Sequence, residues 1–318
     1  MRRFFPGRRI SCRPAAFRVN VSLYQAVRYN EMLDKILQCI VLYSNNFVGG
    51  IDMPLPIHLE FVNRVITVLK DDTRILGVAA GGSWITDSMD AFSDIDLVIA
   101  VDSNHEREIS NDRLVIAEKF GSLLSGFTGE HVGEPRLIIC LYGPPLLHVD
   151  LKFVALSDFA HRVEEPVILW ERGAALSNTI EEEDSQYPHP SLQWIEDRFW
   201  VWIHYAGTKL GRGEIFEAIE MLSFLRVTVL GPLALMKNGC LPRGMRYIER
   251  DAKEEMPLFI ETLSTHDAAG CATACKQAIT LYQLLRNYHS TPDLIRRKEA
   301  EEQSISFLNA IINTILKC

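Results

Sequence analysis

Residues 74–101, "RILGVAAGGSWITDSMDAFSDIDLVIAV", constrain this chain most, because they place two negative charges where a buried strand begins. The apolar run 74–80 predicts a strand that ends at a pair of glycines, and a second apolar run follows Asp94 and Asp96. An unpaired buried carboxylate is costly, so the two aspartates are expected to have a partner. A divalent cation is the obvious partner for such a pair.

A third carboxylate is expected beside this pair. Successive side chains of a strand point to opposite faces, so Asp94 and Asp96 share one face while the apolar residues point the other way. The segment 146–153, "LLHVDLKF", alternates in the same manner and puts Asp150 on its polar face. Three carboxylates can hold one or two Mg²⁺ ions, which keep several waters and bridge to substrate phosphates.

The turn between the first two strands, Gly81-Gly82-Ser83, predicts a phosphate site. Glycines let the backbone approach a phosphate closely, and the amide groups with the Ser83 hydroxyl can bind its oxygens. A glycine turn followed by a strand with paired aspartates therefore predicts a site that activates a nucleoside triphosphate.

The spacing of these residues resembles the pattern of the nucleotidyltransferase superfamily, which includes DNA polymerase beta and the aminoglycoside nucleotidyltransferases. The pattern is Gly82-Ser83, ten further residues, then Asp94 and Asp96, with Asp150 on a later strand, and it covers about residues 74–156. The resemblance implies a Mg²⁺-dependent enzyme, with two ions expected, that moves a nucleoside monophosphate onto a hydroxyl and releases pyrophosphate. It implies Asp94, Asp96 and Asp150 as metal ligands, and ATP or another nucleoside triphosphate as co-substrate.

The stretch 193–222 is similar to the start of the helical domain of streptomycin-type aminoglycoside 6-adenylyltransferases. The residues that carry the similarity are Phe199, Trp200, Lys209, Arg212, Glu214 and Ala218. It implies that the helical domain closes over the nucleotide and that Lys209 and Arg212 meet the triphosphate. Trp84 stands where the family often has an arginine, so an aminoglycoside-like acceptor is expected only as one example of a small-molecule hydroxyl.

Two carboxylates are candidates for the general base that takes the proton of the acceptor hydroxyl. Glu196 begins a helix of the second domain, where an acid also favours the helix dipole. Asp150 is the alternative. The structural interpretation of the aspartates is that Asp94 caps a turn, Asp96 is solvated and Asp150 pairs with Lys152 or His148.

An α+β fold is predicted, in which a nucleotidyltransferase α/β domain with a mixed sheet precedes an α-helical bundle. The boundaries expected are an N-terminal extension over 1–52, the α/β domain over 53–180 and the helical domain over 186–318. The linker is predicted at 177–190, "SNTIEEEDSQYPHP", because it combines an acidic run with two prolines. Helical patterns cover 191–210, 214–237, 267–287 and 292–316.

Charge and composition exclude some function classes. The net charge of −8 argues against a nucleic-acid binder held mainly by phosphate contacts, although residues 1–30 contain seven arginines and no acid. Seven cysteines without a framework spacing suit reduced thiols and a cytoplasmic location. The longest apolar segment, 215–236, is interrupted by Glu217, Glu220 and Arg226, so no membrane span is expected.

Two alternatives to small-molecule modification are kept. The same fold could modify a protein side chain or an RNA end. The chain could instead be a non-catalytic member that binds nucleotide or a partner without turnover. The sequence leaves the acceptor, the preferred base and the oligomeric state open.

Overall fold

A computed structural model describes residues 56–315, which form an α/β part followed by a helical region. The N-terminal extension predicted over 1–52 lies outside the described residues. The buried apolar side chains fall into separate clusters, two against the sheet and one among the helices that begin after residue 190. Each part therefore has a core of its own.

The sheet is mixed and has six strands. Their bounds are β1 (Ile75–Ala80), β2 (Ile95–Val101), β3 (Leu123–Gly129), β4 (Glu134–Tyr142), β5 (Leu147–Ala155) and β6 (Val167–Glu171). Their order is β3-β4-β5-β2-β1-β6, and β2 with β5 is the parallel pair. The other neighbours pair antiparallel. The strands that carry the predicted aspartates, β2 and β5, thus lie side by side in the middle of the sheet.

Helices cover both faces of this sheet. Their bounds are α1 (Pro56–Lys70), α2 (Glu106–Glu118), α3 (Leu156–Phe159) and α4 (Ala175–Glu182). α1 and α2 pack on the face that buries Ile95 and Leu97, while α3 and α4 pack on the face that buries Ala79 and Ala100. The alternation read from the sequence of β2 is therefore that of the folded strand, whose burial alternates from Ile95 onward.

Two elements differ from the sequence-based expectation. The helix predicted over 106–125 ends at Glu118, since Phe120 is fully buried and Gly121 adopts a φ of +154° that is open mainly to glycine. The strand β3 follows at once. The predicted linker begins later than expected, because Glu171 accepts hydrogen bonds at 2.9 Å from the amides of Leu176 and Ser177 and so starts α4.

The helical region contains seven α-helices and one π-helical turn among the described residues. Their bounds are α5 (Leu192–Gly211), α6 (Ile215–Leu225), the π turn Arg226–Leu230, α7 (Gly231–Lys237), α8 (Ile248–Asp251), α9 (Met256–Glu261), α10 (Ala268–His289) and α11 (Lys298–Ile315). The short helices α8 and α9 were not predicted, and α11 begins later than the pattern at 292–316 suggested. Phe199 and Trp200 of α5 are fully buried in the shared core.

The apolar stretch Ile215–Lys237 is long and apolar enough to cross a membrane by length and composition alone. In the fold it comprises α6, the π turn and α7, and half of its most apolar window is buried. Ala218, Leu222 and Leu225 pack in the helical core. Packing within the helical region therefore accounts for its apolar character.

Candidate functional site

Asp96 and Asp150 lie directly opposite each other on the parallel strands β2 and β5. Adjacent strands are about 4.8 Å apart, so the two side chains leave neighbouring backbones on the same face of the sheet. Both residues are half-buried, while Ile95 and Leu97 on the other face are fully buried. The register therefore places these two aspartates side by side on neighbouring strands.

The charges of the three aspartates act on one another. Burial, and after it the negative charges of Asp94 and Asp150, raise the pKa of Asp96 to about 6, although the charges of Arg246 and His148 lower it. Burial also raises the pKa of Asp150, where the charge of Asp94 adds to the effect and His148 opposes it. The cluster therefore disfavours its own ionised form, as expected for carboxylates gathered without a cation.

Asp150 keeps one oxygen free of hydrogen bonds. His148 Nε2 lies 3.1 Å from Asp150 Oδ1, within ion-pair distance, but its direction is not that of a hydrogen bond. Oδ1 is therefore buried with no hydrogen-bond partner among the described residues. Lys152, the other side chain that could have neutralised Asp150, pairs instead with Glu134 at 2.8 Å. An acceptor whose close neighbour is a half-exposed histidine can take a further ligand.

The glycine turn is pressed against the Asp96 carboxylate. The amide of Gly81 donates a hydrogen bond of 2.9 Å to the Asp96 carbonyl oxygen. Gly82 has a φ of +58°, and a Cβ added there would overlap Asp96 Oδ2 and lie 3.1 Å from Asp96 Cγ. The chain then makes a 3₁₀ turn over Gly82–Trp84, so Ser83 follows the close approach at once. Only glycine fits at position 82.

A cavity of about 310 Å³ opens in front of this turn. The α/β part contributes a wall of small and hydroxyl residues, and the segment 235–251 of the helical region contributes the opposite wall. The lining residues are Gly82, Ser83, Thr86, Ser88, Leu235, Cys240, Leu241, Arg243, Arg246, Tyr247, Arg250 and Asp251. A larger, more open cavity of about 840 Å³ follows α11, far along the chain from the carboxylates. Gly82 and Ser83 line the smaller cavity. Asp94, Asp96 and Asp150 are not among its lining residues, and Asp96 adjoins it through its contact with Gly82.

Arg246 faces the carboxylate cluster across the cavity. Burial lowers its pKa, but contact with Tyr247 and the charges of Asp94 and Asp96 outweigh burial, so its pKa is raised. Sequence reasoning missed this residue. The available signal was the stretch "RGMRYIERD", in which Arg243, Arg246 and Arg250 recur at intervals of three and four.

The other two arginines of the cavity have partners. Arg243 Nη2 pairs with Glu164 Oε1 at 2.6 Å, and Arg243 Nε is buried without a hydrogen-bond partner. Arg250 Nε pairs with Asp251 Oδ1 at 2.6 Å, and its guanidinium lies 4.3 Å from the centre of the Tyr247 ring. Among residues 56–315, Arg246 is therefore the one arginine of the cavity without an ion-pair partner.

Lys209 and Arg212, which were expected to meet the triphosphate, do not line this cavity. Lys209 Nζ pairs with Glu214 at 2.6 Å on the α5–α6 connection. The Arg212 side chain is 67% exposed and its nearest acid is Glu214 at 3.9 Å. Both residues are thus held near the end of α5, away from the lining residues.

Glu196 also stands apart from the cavity. It is fully buried in the helical core, where it accepts hydrogen bonds from Tyr282 Oη at 2.6 Å and the Arg297 amide at 2.9 Å. Arg286 Nη1 lies 3.3 Å from its Oε2. A carboxylate with these donors is satisfied by the core itself.

The carboxylate cluster suits magnesium by its chemistry. Among residues 56–315, Asp94, Asp96 and Asp150 included, no group of three or more histidine, cysteine, aspartate or glutamate side chains is placed to hold a metal ion, so there is no preformed metal site. Mg²⁺ does not require one, because it keeps several waters and binds through one or two carboxylates together with substrate phosphates. The Asp150 Oδ1 acceptor suits a metal ion, and the glycine turn at Gly82 suits a phosphate that is bound together with that ion.

Comparisons with known proteins locate only distant similarity. No protein-family model matches the chain, and no curated protein matches it. Among solved structures it is similar to an aminoglycoside 6-adenyltransferase from Bacillus subtilis, at 16% identity and a TM-score of 0.34, with 79% of this chain and 98% of that chain covered. It is also similar to a nucleotidyltransferase-like protein from Exiguobacterium sibiricum, at 13% identity and a TM-score of 0.36, with 81% and 91% covered. The functional argument therefore rests on the geometry of the site.

Proposed function

We propose that this chain transfers a nucleoside monophosphate, AMP from ATP, to the hydroxyl of a small molecule and releases pyrophosphate in a Mg²⁺-dependent reaction. The proposal rests mainly on the register of β2 and β5, which pairs Asp96 with Asp150 beside the glycine turn at Gly82. Two strand carboxylates next to a glycine turn fit metal-assisted phosphoryl chemistry better than any structural role, since burial and the charges of Asp94 and Asp150 raise the pKa of Asp96.

The triphosphate is bound from both walls of the cavity. On the α/β side, the turn amides and the Ser83 hydroxyl meet phosphate oxygens. On the helical side, Arg246 and Arg250 meet the same phosphates, because guanidinium groups pair with phosphate in two parallel hydrogen bonds. These two arginines take the place that Lys209 and Arg212 held in the sequence-based hypothesis.

Asp94, Asp96 and Asp150 would hold the magnesium, as one ion or two. When bound, magnesium neutralises the charge of the phosphates and activates the attacking oxygen. The raised pKa values of Asp96 and Asp150 support this role, since a neighbouring cation would relieve the repulsion that raises them.

The transfer needs no covalent intermediate with the chain. A bond forms between the acceptor oxygen and the α-phosphorus, the bond from that phosphorus to the bridging oxygen breaks, and pyrophosphate leaves. Asp150 Oδ1, which has no hydrogen-bond partner among the described residues, takes the proton of the acceptor hydroxyl. Positioning and neutralised charge supply the rest of the acceleration.

The deciding experiment measures pyrophosphate release from ATP, GTP, CTP and UTP with Mg²⁺ across a panel of hydroxyl compounds, aminoglycosides among them. Asp96→Asn and Asp150→Asn are expected to abolish release. Asp112→Asn is the matched control, because Asp112 is an exposed aspartate that lies 3.5 Å from Arg74. Release that is equal in all four proteins would refute the proposal.

The same samples separate the alternatives. Labelled ATP followed by mass spectrometry of the protein and of added RNA reports a macromolecular acceptor. Binding of Mg²⁺ and ATP without pyrophosphate release for any acceptor identifies a non-catalytic nucleotide-binding member.

A further inference from the structure

One ion pair joins the α/β part to the helical region among the described residues, and it lies at the edge of the cavity. Arg243 Nη2 and Glu164 Oε1 are 2.6 Å apart. No other side-chain hydrogen bond or ion pair within residues 56–315 connects the two parts. Among the described residues, this ion pair is therefore the one charged contact that can fix the orientation of the helical region above the glycine turn.

The Arg243–Glu164 ion pair is partly buried. The side chains of Arg243 and Glu164 are 27% and 23% exposed, so water screens their attraction less than it would screen a pair on the open surface. The Arg243 guanidinium also lies 5.9 Å from the centre of the Tyr187 ring, in the segment that connects the two parts. Arg243 thus contacts the α/β part and the connection at once.

The backbone that follows Arg243 is anchored to the helical core. A Cβ added at Gly231 of α7 would overlap the carbonyl oxygen of Gly244 and lie 2.8 Å from Met245 Sδ. Because the segment is fixed at this point, its distance from the α/β part depends on the contact that Arg243 makes on its other side. Arg246 follows two residues later and faces Asp94 and Asp96.

We propose that the Arg243–Glu164 ion pair is a positioning device, which holds the segment 243–250 against the α/β part so that Arg246 reaches the anion in the cavity. The inference rests on the proposed function in that it concerns the same cavity. Glu164 itself does not line the cavity, so its role is exercised through Arg243.

The proposal and simple electrostatics predict opposite signs for one substitution. Glu164→Gln removes a negative charge near the cavity, which by charge alone strengthens the binding of an anion. If the ion pair positions the arginine segment, the same change weakens that binding. Glu165→Gln is the matched control, because it removes the neighbouring charge but affects Arg162, at 2.9 Å, and the Ser185 amide, both N-terminal to the helical region.

The first measurement is calorimetric titration of the full chain with pyrophosphate in the presence of EDTA. We expect Glu164→Gln to weaken binding about fivefold or more, and Glu165→Gln to leave it unchanged or tighten it. Binding that is as tight in Glu164→Gln as in the wild type overturns the inference.

The second measurement needs no ligand. Hydrogen exchange of the amides in 241–251 is expected to be faster in Glu164→Gln than in the wild type and in Glu165→Gln. Unchanged exchange overturns the inference, whatever the titration gives. The wild type itself could bind neither pyrophosphate nor ATP while hydrogen exchange in 241–251 still becomes faster in Glu164→Gln. That result would support the positioning role of the ion pair and refute the proposed function.

Discussion

Gly82 and Asp96 are in such close contact that the backbone of one occupies the space a side chain would need beside the other. A Cβ at position 82 would overlap Asp96 Oδ2, and the φ of +58° is itself unfavourable for other residues. The turn and the carboxylate are therefore a single unit, so a change at Gly82 also displaces the Asp96 side chain.

Gly82→Ala is expected to abolish pyrophosphate release while lowering the free energy of unfolding by about 1–2 kcal/mol. The stability loss comes from backbone strain, and the loss of turnover comes from displacement of the Asp96 carboxylate. Gly213→Ala is the matched control, because Gly213 has a φ of +72° and no atom within 4 Å of an added Cβ. Denaturant titration and pyrophosphate release check both; full turnover in Gly82→Ala would contradict the role of the turn.

Asp96→Asn is expected to stabilise the metal-free protein while it stops turnover. The folded pKa of Asp96, about 6, lies above the unfolded value of about 3.9, so its ionised form destabilises the fold above pH 6. The neutral amide removes a penalty on the order of 1–3 kcal/mol there. As the pH falls from 6 towards 4, wild-type Asp96 takes up its proton in the folded state, so the difference between the two proteins shrinks.

Denaturant titrations in EDTA between pH 4 and pH 8 check this expectation. Asp72→Asn provides a comparison of opposite sign, because its hydrogen bonds with Arg74 lower the pKa of Asp72. That variant is expected to be less stable than the wild type at neutral pH. An Asp96→Asn protein that is less stable than the wild type at pH 8 would contradict the raised pKa of Asp96, which is attributed to burial and to the charges of Asp94 and Asp150.

The features of the site that could be predicted are those that depend on short-range pattern. The alternation in β2 and β5 determines which face each aspartate occupies, and the glycine turn follows from residues adjacent in the chain. The side-by-side position of Asp96 and Asp150 needs one further fact, that β5 returns parallel to β2. The sequence analysis expected only that the two strands are neighbours, since alternation by itself determines neither strand order nor direction.

The features that could not be predicted arise from long-range packing. Arg246 reaches the carboxylates because α8 and the preceding loop fold back over the glycine turn, and a helix of four residues has no periodic apolar pattern. Lys209 was a reasonable candidate by its place in α5, but Glu214 lies five residues on and pairs with it. The burial of Glu196 depends on α10 and α11, which begin more than 70 residues later.

Arg246→Ala is expected to weaken ATP binding about 10- to 100-fold, because a charge-assisted hydrogen bond to phosphate is worth about 1.5–3 kcal/mol. Arg212→Ala is expected to have little effect, since the Arg212 side chain is 67% exposed and does not line the cavity. Calorimetry with a non-hydrolysable ATP analogue and Mg²⁺ compares the two. A larger loss of ATP binding in Arg212→Ala than in Arg246→Ala would instead place the phosphate contact at the end of α5.

Glu196→Gln separates the two carboxylates that were open as general base. Glu196 accepts hydrogen bonds from Tyr282 and the Arg297 amide and pairs with Arg286. An amide nitrogen in its place would face the Arg297 amide and the Arg286 guanidinium, which can only donate. We expect the free energy of unfolding to fall by about 2–4 kcal/mol. We also expect kcat per folded molecule to stay at the wild-type value, because Glu196 has no surface exposed to an acceptor.

Asp150→Asn is expected to behave in the opposite way, with turnover lost and the fold retained, because its Oδ1 is the acceptor left without a hydrogen-bond partner among the described residues. Unfolding curves and pyrophosphate release measured on both variants form a crossed comparison. A Glu196→Gln protein that kept its stability and lost its turnover would move the proton acceptor from the sheet to the helical region, and Asp150 would then retain only its role as a metal ligand.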